Sequence, residues 1–192
     1  MKRSILTAIT FSLCCFLANP AFADFIGPYD VSNWNQSPEG GFIDLSSAPS
    51  SILLISSDDG NGESNTDLTI EILTDGIVTF DWNYLTTEPI DPGFFGPEFD
   101  PFGYLLNGSF FQLTDDLGTA EQSGWEEVTV LAGDIFGFRA NSFDSLEGPA
   151  FTLIEKFVGP LPETNQVPEP GTILLLGSGL VGLGLWKNRK TR

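Results

Sequence analysis

Most of the chemistry open to this sequence belongs to oxygen-bearing side chains. Between Asp58 and Asp67 (DDGNGESNTD), Asp59, Asn61, Glu63, Asn65 and Asp67 fall at every second position. Hard oxygen donors on a glycine-bearing loop are what calcium takes. The string departs from an EF-hand loop, with Ser64 at the sharp-turn glycine position and Ile70 at the bidentate glutamate position. A solvated loop between strands uses the same residues, so the sequence leaves both readings open. Calcium, if bound, is expected at Asp59, Asn61, Glu63 and Asp67, and no other cofactor is expected. Asp115, Asp116, Glu121, Glu126 and Glu127 form a second acidic set. Paired carboxylates hydrolyse glycosidic bonds at defined separations, which linear spacing does not supply. A carboxylate-dependent glycan hydrolase is therefore an alternative reading, as is a calcium-dependent carbohydrate-binding module.

What is missing narrows the chemistry further. The chain has no histidine, which removes the usual general base, the Ser-His-Asp triad and imidazole metal sites. Its 26 acidic residues all lie between Asp24 and Glu169, and in that span only Arg139 and Lys156 are basic. Two cations against 26 acids leave this body at −24. Such a surface repels nucleic acid, whose binding needs a basic face. Arg139, nearly alone in its charge, is expected to pair with a carboxylate. We expect a non-enzymatic protein.

The elements that must position these groups read as short strands. Ser51–Ser56 is apolar, and in 67–73 Leu68, Ile70 and Ile72 alternate with Thr69 and Glu71. In 77–84, Val78, Phe80, Trp82 and Tyr84 share one face. Asp75-Gly76 between these two segments predicts a hairpin. Asn107-Gly108, between 102–106 and 109–113, is the strongest hairpin signal, because a type I′ turn needs positive φ at both positions. The segments 125–131 and 135–140 are expected to pair across Ala132-Gly133-Asp134, with 115–124 a polar loop. Residues 150–158 alternate as a last strand, and 27–34 reads as a first, edge-type strand. Trp34, Trp82, Trp125, Tyr29, Tyr84 and Tyr104 are expected mostly in the core, with a sugar-stacking platform as the alternative. Phe94-Phe95, in the proline-framed stretch 88–100, is the aromatic pair expected at the surface. Many short strands with regular turn signals predict an all-β antiparallel sandwich.

The two ends read as addresses. Lys2 and Arg3, the apolar run 5–17 and Ala21-Phe22-Ala23 form a signal peptide over residues 1–23, cleaved after Ala23. Cys14 and Cys15 both lie in it, so the mature chain holds together without disulfides. Residues 24–159 form the sandwich domain, 160–166 a Pro-rich linker and 167–192 a sorting and anchor segment. In that segment Val167-Pro168-Glu169-Pro170 precedes an uncharged run, Thr172 to Trp186, and the basic end Lys187-Asn188-Arg189-Lys190-Thr191-Arg192. The run is about 22 Å long as a helix, short for a hydrocarbon core of about 30 Å. The basic end holds the C-terminus on the cytoplasmic side.

Pro168-Glu169-Pro170, the glycine-bearing hydrophobic stretch and the basic cluster together resemble a PEP-CTERM sorting domain. The resemblance implies export, tethering in the membrane through the C-terminal helix, and processing near the motif by an exosortase-like membrane protease. It also implies association with exopolysaccharide or matrix proteins at the cell envelope. The body, through Gly27–Trp34, Thr79–Tyr84, Asp100–Gly108 and Ala132–Phe138, resembles a recurring group of PEP-CTERM proteins. That likeness implies a jelly-roll-like sandwich related in outline to CUB modules, and it brings no catalytic residues.

Overall fold

A computed structural model describes residues 25–89 and 96–162. The signal peptide, Phe94-Phe95 and the sorting segment, with Ala21, Ala23 and Val167 to Pro170, lie outside the described residues. The described chain is an all-β sandwich of two antiparallel five-stranded sheets. Its strands are β1 (Asn35–Pro38), β2 (Phe42–Asp44), β3 (Ser51–Ile55), β4 (Ser64–Glu71), β5 (Gly76–Thr86), β6 (Phe102–Leu106), β7 (Ser109–Gln112), β8 (Glu121–Val130), β9 (Ile135–Ser142) and β10 (Ala150–Val158). One helical turn, α1 (Gly96–Phe99), precedes β6. The first sheet runs β1-β4-β9-β6-β7 and the second β2-β3-β10-β5-β8.

The pairing is nested. Strands β6 and β7 form a hairpin, and β5 with β8, β4 with β9 and β3 with β10 pair outside it in turn. Consecutive strands from β3 to β6 alternate between sheets, as do β7 to β10. This is a jelly roll with β1 and β2 added at its edges. It corrects two expected hairpins. Segments 67–73 and 77–84 do not pair, nor do 125–131 and 135–140; each turn carries the chain across the core to the other sheet. The cause lies in the inward faces. Leu68, Ile70 and Ile72 meet Val78, Phe80 and Trp82 across the interior, where each apolar row covers the other. The Asn107-Gly108 hairpin forms as read, with φ of 52° and 81°.

Other expectations shift locally. Residues 27–34 are not a strand but two 3-10 turns, Gly27–Tyr29 and Val31–Asn33, with Pro28 at the start of the first. They aim Tyr29 and Trp34 into one end of the core, where Trp34 Nε1 donates to the Tyr29 carbonyl at 3.0 Å. Strand β8 begins at Glu121, inside the expected 115–124 loop. Strand β10 buries Ala150, Thr152 and Ile154. A register shift between Glu155 and Val158, with Lys156 at φ 50°, then turns Phe157 inward. Alternation alone cannot predict such a bulge.

The interior is asymmetric along the strands. At one pole, where short turns join β4 to β5, β6 to β7 and β8 to β9, it is aromatic. Phe157 packs on Phe25 (5.1 Å), Tyr29 (5.4 Å) and Trp34 (5.4 Å), and Phe138 on Phe80 (4.9 Å). Tyr29 Oη donates to the Pro160 carbonyl at 2.7 Å, fixing the exit of the described chain at this pole. At the other pole the longer loops β3–β4, β5–β6, β7–β8 and β9–β10 meet, and there the interior is polar. Among the described residues, no helix is long and apolar enough to cross a membrane.

Candidate functional site

The loop pole gathers nearly all the buried polar side chains: Ser56, Ser57, Thr66, Thr86, Glu88, Asp100, Thr114, Ser142, Ser145 and Thr152. Several follow from strand geometry. Thr86 continues the inward face of β5, Thr152 that of β10 and Ser142 that of β9. Asp100 enters from the end of α1, just before β6. It is 1% exposed and Glu88 is 8% exposed. Ser56 Oγ donates to Asp100 Oδ1 at 3.0 Å, and the Ala150 amide donates to Ser56 Oγ at 2.8 Å. Tyr84 Oη donates to the Asp100 carbonyl at 2.9 Å. Ser145 ties the β9–β10 loop to the β3–β4 loop: its Oγ donates to the Gly62 carbonyl at 2.7 Å, and its carbonyl accepts from the Gly60 amide at 2.8 Å.

Electrostatics at this pole is one-sided. Burial, followed by the negative charge of neighbouring acids, pushes the carboxyls of Glu88 and Asp100 each up to about 7. Asp144 and Asp58 act on both, and Asp100 and Glu147 also act on Glu88. The hydroxyls of Ser142 and Ser56 beside it partly offset the rise at Asp100. Burial also raises the Tyr84 phenol. Glu88 Oε1, Asp100 Oδ2, Ser57 Oγ and Thr152 Oγ1 are buried without a hydrogen-bond partner. Sequence reading singles out neither carboxylate. Glu88 and Asp100 stand at the ends of a proline-framed stretch, and only the fold turns both inward.

A second feature lies on the outer face of the second sheet. The cross-strand register places Phe42, Ile55, Phe151 and Leu85 in one row and Leu53, Leu153, Asn83 and Ser123 in the next. The following row holds Glu155, Asp81 and Trp125. Trp125 is 58% exposed, which corrects its expected place in the core; Trp34, Trp82, Tyr29 and Tyr84 are buried as expected. Trp125 points outward because its neighbours Gly124 and Glu126 take the inward phase of β8. Further along the β5–β8 pair a depression of about 430 Å³ is lined by Asn83, Tyr84, Leu85, Glu121, Gln122 and Ser123, and Trp125 is not part of its lining.

The acidic residues read from the sequence are scattered. Asp67 leaves the loop for β4, where Arg139 binds it through Nε at 2.7 Å and Nη2 at 2.6 Å, the ion pair expected for that arginine. Asp59 accepts from the Asn61 amide at 3.0 Å and so closes its own turn. Glu63 adjoins the start of β4. Among the described residues, no three carboxylates converge as a metal cage. In the second set, Asp115 and Asp116 serve the β7–β8 loop through the Leu117 amide and Gln112. Glu126 and Glu127 sit on opposite faces of β8.

Several solved structures resemble the described fold. A family 35 carbohydrate-binding module in complex with a glucuronic acid-containing disaccharide is 16% identical, covering 66% of this chain and 88% of its own, with a TM-score of 0.39. The N-terminal cellulose-binding domain of Cellulomonas fimi β-1,4-glucanase C is 13% identical, covering 74% and 95%, with a TM-score of 0.38. Rabbit GITRL is 20% identical, covering 49% and 73%, with a TM-score of 0.30. Scores this low assign no ligand. No curated protein matches the chain. A family model for the PEP-CTERM protein-sorting motif matches residues 166–190, so the chain carries the sorting signal of an exported protein at its C-terminal end.

Proposed function

We propose that this chain is a non-enzymatic protein of the cell envelope or extracellular matrix. An exosortase-type membrane enzyme processes it at Val167 to Pro170, and it then contacts neutral exopolysaccharide through the outer face of its second sheet. The match of the sorting motif to residues 166–190 carries the reading. Support for the glycan contact comes from Trp125, an exposed indole opposite Asp81 and one row from the Asn83 amide and Ser123 hydroxyl. A flat apolar ring beside hydrogen-bonding groups suits a pyranose face. The charge of the body favours a neutral polymer over an acidic one. Of the carboxylates, only Glu121 lines the depression along β5 and β8, while Glu88 and Asp100 lie buried elsewhere; a lone carboxylate there favours binding over two-carboxylate hydrolysis.

The matured protein, recovered from the cell exterior, tests this in one preparation. Mass spectrometry should find its C-terminus near 167–170, and the protein should co-sediment with the host's neutral polysaccharide. Trp125→Ala should weaken that binding about tenfold, or ~1.4 kcal/mol, and leave the melting temperature unchanged. Soluble exported protein ending at Arg192, or full binding by Trp125→Ala, would refute the reading.

A further inference from the structure

We infer that the polar pole of the sandwich is a calcium site built on Glu88 and Asp100, distinct from the 59–67 string. The pole poses a plain electrostatic problem. Buried carboxylates ordinarily have a cationic partner or carry a proton. The two cations in the described chain, Arg139 and Lys156, pair with Asp67 and Asp81. Glu88 and Asp100 instead both feel the charge of Asp58 and Asp144, and Glu88 that of Glu147 as well, all acids. Each keeps a buried oxygen with no hydrogen-bond partner, Glu88 Oε1 and Asp100 Oδ2. An unmet acceptor costs about 1–3 kcal/mol, more when charged, and this pole concentrates several. A divalent cation would meet them together.

The donor set selects calcium. The available groups are hard oxygens, with both carboxylates from the ends of one connection, in an irregular arrangement that calcium tolerates and magnesium does not. Among the described residues no third carboxylate stands in coordination geometry, so the two buried carboxylates would supply the charge. Hydroxyls, loop carbonyls and water would fill the remaining positions of a shell of about six to eight oxygens. The site would hold Glu88 and Asp100 beside the β3–β4 and β9–β10 loops, whose Asp58 and Asp144 act on both carboxyls. It depends neither on the sorting signal nor on the glycan contact at Trp125.

Calcium titration of the exported protein, followed by thermal melting at constant ionic strength, tests the inference. At pH 8, a tenfold excess of calcium over Kd should raise Tm by about 3–6 °C, saturably. At pH 5 the rise should shrink severalfold, because protons hold the same oxygens. Glu88→Gln and Asp100→Asn should each abolish the pH 8 rise, while Asp59→Asn and Glu63→Gln should keep it. Should either core variant fail to fold, calorimetry of the native protein near pH 6.5 in two buffers of different ionisation enthalpy still decides. Calcium binding there should release protons, and the release should vanish at pH 8.5. The inference falls if sodium chloride of equal ionic strength reproduces the rise, if the core variants retain it, if the 59–67 variants remove it, or if no protons are released.

Discussion

At the residue scale, Asp100 and Glu88 are acids held in a place that favours their neutral forms. Their carboxyls titrate at about 7 in the fold, against ordinary values of 3.8 for the aspartate and 4.5 for the glutamate. Between about pH 4 and pH 7 the folded chain therefore binds more protons than the unfolded chain. Stability falls as pH rises through that window and stays low above it. Every tenfold weakening of an acid by the fold corresponds to about 1.4 kcal/mol, so without calcium the loss should reach a few kcal/mol. Urea denaturation in chelator should show the midpoint decreasing from pH 5 to pH 8. Asp100→Asn and Glu88→Gln should each flatten that slope by removing a titrating group, and in the first variant the new amide oxygen can still accept from Ser56. A midpoint that instead rises over the range would mean that these carboxylates are stabilised as anions, contrary to their surroundings.

At the element scale, the sequence is a good guide to strands and a poor guide to their partners. Period-two alternation in 67–73 and 77–84 places Leu68, Ile70, Val78, Phe80 and Trp82 inward, and the structure agrees. The turn residues at 75–76 and 132–134 reverse the chain, yet nothing in a turn states whether the next strand stays in the same sheet. In a jelly roll only the innermost turn, Asn107-Gly108, closes a local hairpin, and there local chemistry is sufficient. The polar pole is illegible in the sequence because nothing in the 87–101 connection says that the carboxyls at both its ends turn inward, beside acids of two other connections. One element-level contact is equally hidden. Gly124 lies on the inward phase of β8 directly opposite Trp82, and a Cβ there would stand 2.8 Å from the indole Nε1. Gly124→Ala should therefore destabilise the fold by about 1–3 kcal/mol through overpacking, although its backbone is ordinary. Gly133 is the reverse case, with φ 89° and open space around a Cβ, so Gly133→Ala should cost about 1 kcal/mol from backbone strain alone. Urea melts of both variants compare the two causes. A smaller loss for Gly124→Ala than for Gly133→Ala would show that the indole moves aside freely.

At the scale of the whole molecule, the two poles divide the work. The described chain leaves the sandwich at the aromatic pole, beside Tyr29 and Pro160. The loop pole lies at the opposite end of the strands from this exit. Across this body the charge is nearly all of one sign, with 26 acids against Arg139 and Lys156 between residues 24 and 169. Self-repulsion of that size destabilises the compact state and is relieved by screening. The Debye length drops from about 30 Å at 0.01 M salt to about 8 Å at 0.15 M, so that charges beyond near neighbours are screened. Raising sodium chloride over that range in chelator should therefore increase Tm by several degrees, and Asp→Asn changes at exposed positions such as Asp75 should reduce the increment. The Arg139–Asp67 pair works in the opposite direction, because screening weakens an attraction as readily as a repulsion. It is one partly buried, bidentate contact against a field of two dozen surplus charges, so repulsion should dominate. A Tm that falls with added salt would reverse that ranking and place the electrostatic stability of the fold in its few ion pairs.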